Sequence, residues 1–77
     1  MTAIHPPPEE FTDEELERHP ILRFFHYRHL PPRLREVSQP FCAMAKMVVR
    51  TLPRNAESST ALRKLLEAKD CAVRASL

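Results

Sequence analysis

"LREVSQPFCAMAKMVVRTL", residues 34–52, is the stretch whose reading decides the fold. Leu34, Val37, Phe41, Met44, Val48 and Leu52 recur at steps of three and four, a spacing that lines side chains along one face of an α-helix and lacks the alternation of a strand. The stripe predicts one amphipathic helix of about five turns. Pro40 falls inside it, where a proline removes a backbone hydrogen bond and crowds the carbonyl of Glu36. Either the helix bends near residues 36–40, or Ser38 caps a new start. The stripe keeps its phase across Pro40, which favours one kinked helix.

Toward the C-terminus, "LPRNAESS" (52–59) reads as a stop and a restart. Pro53 ends the first helix, Asn55 is a helix N-cap, and Glu57 suits the positive end of the next helix dipole. This second helix is expected over Ala56 to Ala75, with Leu62, Leu65, Leu66 and Val73 on one face. Ala61, Ala68, Ala72 and Ala75 provide small side chains where another helix can approach. The short loop predicts an antiparallel hairpin over residues 31–77. Apolar residues such as Met47 and Val49 lie beside the first stripe, so a two-helix hairpin leaves apolar surface uncovered. A homo-oligomer is therefore expected.

Toward the N-terminus, Pro31 and Pro32 separate the hairpin from a short helical segment, residues 12–30. Thr12 and Glu15 form a capping-box pair, and Asp13, Glu14 and Glu15 suit a helix start, so a short helix is predicted over Asp13 to Arg18. His19-Pro20 interrupts it, and "ILRFFHY" (21–27) has room for a further turn or two, with Phe24 and Phe25 expected to anchor the segment on the hairpin. Residues 1–11, "MTAIHPPPEEF", combine a proline run with acidic residues and read as a flexible arm.

Composition agrees with an all-α fold. The 77 residues contain no glycine and eight prolines, which disfavours tight β-hairpins and rules out glycine-rich phosphate loops. The chain is one domain at most, and at this size a self-sufficient core is hard to build. Cys42 and Cys71, without a secretory leader or a cysteine framework, are expected to be reduced thiols. No stretch is long and apolar enough to span a membrane. Twelve Lys and Arg against ten Asp and Glu give a formal charge of +2. The signs are separated: Glu9 to Glu17 is acidic, Arg23 to Arg54 basic.

Several residues invite chemical readings. His26 and His29 are three apart and with Cys42 or Cys71 would make a zinc set, but no second ligand pair at metal spacing supports it, so no metal or cofactor is expected. Cys42 sits in an apolar run that raises a thiol pKa, and no orienting carboxylate can be placed beside a Cys/His pair, so no enzyme activity is expected. Arg23, Arg28, Arg33, Arg35, Lys46, Arg50 and Arg54, interleaved with Phe24, Phe25 and Tyr27, suit nucleotides: guanidinium groups match phosphate oxygens and aromatic faces stack on bases. The ten acidic residues disfavour a long nucleic acid and point to a small anionic ligand or a protein partner.

The order of "FHYRHLPP" (25–32), Ala45-Lys46 in mid-helix, the Leu52-Pro53 stop and the second helix opening "ESSTALRKLLEA" (57–68) resembles the hairpin domain of the phage anti-CBASS and anti-Thoeris cyclic-oligonucleotide sponges, over residues 24–75. The resemblance implies a compact homohexamer in the cytoplasm of an infected bacterial host, which sequesters cyclic di- and trinucleotide messengers without cleaving them. It also implies that Tyr27 stacks on a base and that Lys46 or a neighbour contacts phosphate, with His26, His29, Arg33 and Arg50 around them and Arg74 in a second pocket. "KDCAVRA" (69–75) departs from the aromatic and Asn common there in the family. The alternatives are a small helical adaptor that pairs with a partner protein and, third, a nucleic-acid-binding protein.

Overall fold

Thr12 starts the first helix as the spacing predicts. Its hydroxyl accepts from the Glu15 amide at 3.1 Å while the Glu15 carboxylate accepts from the Thr12 amide at 2.9 Å, so two amides that a helix start leaves unpaired are satisfied. The structure, a computed structural model, describes residues 10–77. α1 covers Asp13–Arg18, a 3-10 helix covers Pro20–Phe25, α2 covers Pro32–Thr51 and α3 covers Ala56–Ala75. α2 and α3 pack together as a hairpin, and the 3-10 helix lies against both. α2 runs unbroken through Pro40, so Ser38 is an interior residue and starts no new helix.

The α2–α3 connection is fixed by local chemistry. Asn55 Oδ1 accepts from the Ser58 amide and Ser58 Oγ accepts from the Asn55 amide, both at 2.9 Å, closing the start of α3. No described residue has a positive φ, so the turn is made without the left-handed backbone that would call for glycine.

The buried side of α2 is rotated from the predicted stripe. Leu34, Ser38, Cys42, Ala45 and Val48 are buried, Val37 and Phe41 are half-buried, and Met44 and Leu52 are 39% and 46% exposed. The N-terminal segment causes the shift. Phe11, Leu22 and Phe25 are fully buried in one cluster with Cys42, Ala45, Val48 and Leu62, so large rings fill the space left by small helix residues. Packing begins at Glu10 and Phe11, inside the stretch read from sequence as the arm; residues 1–9 lie outside the described residues.

Phe24 also departs from expectation: it is 64% exposed, whereas Phe25 is buried. In a 3-10 helix residues three apart share a face, so Leu22 and Phe25 point together into the core and Phe24 points away. On α3, Ser58 and Leu62 are buried, and Leu65, Leu66, Ala72 and Val73 are half-buried.

Candidate functional site

Two groups of basic side chains emerge, and the chain treats them differently. The first is strapped by the N-terminal acids. Glu10 is only 5% exposed and accepts from Arg28 Nε through one oxygen and from Lys46 Nζ, at 3.0 Å, through the other. Burial would raise the Glu10 pKa, but the hydrogen bonds from Lys46 and Arg28 outweigh it and hold the carboxylate below its ordinary value. Arg50 donates to both oxygens of Glu15, at 2.9 and 3.0 Å, the forked geometry that suits guanidinium and carboxylate. That pairing lowers Glu15 to about 2. Lys46, expected by resemblance to meet ligand phosphate, and Arg50, expected around the same site, are thus engaged by carboxylates of the same chain.

The second group lies open. Arg23 and Phe24 from the 3-10 helix, and His26 and His29 just after it, face Lys69 and Arg74 of α3 across a cleft of about 280 Å³. Leu30 and Val73 supply its apolar lining. Asp70 is the one carboxylate that the described residues place in the wall, and it pairs with Lys69 at 2.8 Å. Arg74 Nη2 donates to the Cys71 sulfur at 3.5 Å, a weak acceptor, and Arg23 makes no ion pair among the described residues. Three permanent cations and two imidazoles therefore face one carboxylate, with an exposed phenyl ring beside them. Such a cleft can take phosphate oxygens on its cations and a planar ring on Phe24.

The structure thus brings together His26, His29 and Arg74, which the sequence reading had divided between two sites. Tyr27 is half-buried against the core, with the Arg28 guanidinium 5.7 Å from its ring centroid. Arg33 is exposed in the first turn of α2. Phe24 and Lys69 were missed as site residues. Lys69 carried a signal, since Lys69 and Val73 are four apart and share a helix face, as do Asp70 and Arg74. His26 is held from behind by the Phe11 ring, edge-on at 6.3 Å between centroids and 73° between planes.

Cys42 is buried, and burial first, then the nearby Glu10 charge, pushes its thiol pKa up. Cys42 packs in the core cluster with Phe11, Leu22 and Phe25. Among the described residues no group of three or more His, Cys, Asp or Glu is placed to hold a metal ion, and no helix is long and apolar enough to cross a membrane. Comparison of the chain with protein families, curated proteins and solved structures finds no match. The likeness to the sponges rests on the motifs of residues 24–75 alone.

Proposed function

We propose that this chain is a non-catalytic binder that sequesters a cyclic oligonucleotide second messenger through the cleft between Phe24 and Arg74. In this reading it is a phage immune-evasion protein acting in the cytoplasm of the infected bacterium. The observation that carries the proposal is the open cleft itself, where Arg23, Lys69, Arg74, His26 and His29 surround an exposed Phe24. Sequestration requires tight binding and no chemistry, so phosphate-matching cations and a stacking ring suffice.

Size bears on assembly. At about 280 Å³ the cleft is at the lower bound for small-molecule sites, room for about one nucleotide unit. A ring of two or three nucleotides then needs a second copy of the chain over its other half, and a two-fold ligand suits a two-fold interface. α2 leaves Met44 and Met47 exposed, 39% and 51%, beside the half-buried Val37 and Phe41. A second copy would cover this apolar surface in the oligomer, a hexamer by resemblance.

Calorimetric titration with a panel of cyclic di- and trinucleotides tests the binding. At least one should bind and raise the melting temperature. Phe24→Ala should weaken that binding by about tenfold, the loss of one base stack. Arg74→Gln should weaken it by about 10- to 100-fold, the loss of one charge-assisted hydrogen bond. A chain that retains none of the panel and gains no thermal stability refutes the proposal.

The second reading, a helical adaptor, is favoured by one observation: Tyr27 is half-buried against the core. An adaptor would use the Met44–Met47 surface for a partner helix. Sedimentation separates the two. The sponge reading expects an oligomer that Met44→Glu with Met47→Glu dissociates, whereas a monomer at all concentrations, with or without cyclic nucleotide, favours the adaptor.

A further inference from the structure

A different cavity, of about 320 Å³, lies where the end of α1, the end of α2 and the start of α3 meet. Its floor is apolar, made by Val48, Val49 and Leu52. Its rim is basic: Arg18 from the last turn of α1, Arg54 from the loop before α3, and His19 between them. Ser58, in the first turn of α3, completes the wall and brings the positive end of that helix dipole to the cavity. From Ser58 to Arg74 is about 24 Å of helix, at about 1.5 Å per residue, so this cavity and the Phe24 cleft are at opposite ends of α3.

Among the described residues no carboxylate lines the cavity, and neither Arg18 nor Arg54 makes an ion pair. The carboxylate that His19 feels is Glu15, which is already committed to Arg50 and the Thr12 amide. Arg18, His19 and Arg54 line the same cavity, and burial, then the charges of Arg54 and Arg18, hold His19 below its ordinary value. The N-terminal acids answer Lys46, Arg28 and Arg50, through Glu10 and Glu15. Among the described residues none answers Arg18 or Arg54.

We propose that the cavity is an anion site, independent of the Phe24 cleft, that takes a small phosphate monoester with an apolar or planar body. The head group sits between Arg18 and Arg54, where two guanidinium forks match its oxygens. The body lies on Val48, Val49 and Leu52. Val48 is 4% exposed and belongs to the core, so the floor is preorganised. A bound dianion also stabilises imidazolium, so occupancy raises the His19 pKa.

Phenyl phosphate is the probe, titrated into the full chain and followed by NMR. Saturable shifts are expected at His19, Val48, Val49 and Ser58, with an upward move of the His19 titration, and benzyl alcohol should produce neither. Arg18→Gln and Arg54→Gln, both at exposed positions, should each weaken binding by tenfold or more, a loss of about 1.4 kcal/mol. Arg74→Gln should leave it unchanged. The proposal is overturned by an absence of saturable shifts up to about 10 mM probe, by shifts centred on His26 and His29, or by wild-type affinity in the Arg18→Gln and Arg54→Gln proteins.

Discussion

Replacing Phe11 with alanine tests whether the N-terminal segment is part of the core or lies loosely on the hairpin. Phe11 is 1% exposed and sits in the cluster of Leu22, Phe25, Cys42, Ala45, Val48 and Leu62. Truncating a fully buried phenylalanine costs about 3–5 kcal/mol in transfer and cavity terms. Loss of the edge-on contact to His26 adds about 0.5–1 kcal/mol. That sum approaches the whole stability of a small domain, about 5 kcal/mol at the low end. The chain has a cheaper response, because residues 10–12 can detach while α2 and α3 stay paired, so the measured loss of global stability should be about 2–3 kcal/mol, below the full truncation cost. Urea unfolding followed by far-UV circular dichroism gives the global value, and amide exchange separates the two responses. Amides of α1 should lose protection further than those of α3. Affinity in the Phe24 cleft should also fall, since Phe11 supports His26 from behind. A global loss under about 1 kcal/mol with unchanged exchange in α1 would refute the packing argument.

Acid should weaken the strap in a defined window. Glu15 is held at about 2 against an ordinary 4.5, so its contribution is fully present above pH 4.5 and is lost as pH falls toward 2. Arg50 is half-exposed, so solvent screening reduces the pair to about 1 kcal/mol. Glu15→Gln should remove that share of the pH dependence, and an unchanged acid profile would count against the pair. Ser38 Oγ is buried and has no hydrogen-bond partner among the described residues. Ser38→Ala should therefore stabilise the protein by about 1 kcal/mol in urea unfolding, and a loss of stability would mean that the hydroxyl is satisfied after all.

The elements whose signals act within a turn were legible in the sequence. Thr12 with Glu15 and Asn55 as an N-cap set helix starts locally, and the predicted bounds Asp13–Arg18 and Ala56–Ala75 match the helices formed, although Ser58 as the partner of Asn55 emerges only in the structure. Long-range choices were not legible. The acidic character of Glu10 and Glu15 was plain, but nothing local assigns them to Lys46 and Arg50, 36 and 35 residues away. The same gap hid the buried side of α2. Hydrophobicity alone favours Met44 and Leu52 over Ser38 and Ala45, and only the arrival of Phe11, Leu22 and Phe25 makes the small residues the better floor. Phe24 and Phe25 are equal by composition, and the three-residue period of a 3-10 helix separates them. For the candidate site, the basic and aromatic character was readable, whereas which cations stay free depended on where the acids landed.

The strap has a consequence for biosynthesis. Glu10 and Phe11 are made before their partners Arg28, Lys46 and Leu62, which follow 18, 36 and 51 residues later. Phe11 therefore stays in water until α3 is under way, and the core closes only once Leu62 has been made. A ribosome that stalls within α2 would hold a nascent peptide with Phe11, Leu22 and Phe25 all uncovered, so products truncated within α2 should be degraded quickly while those that contain α3 persist.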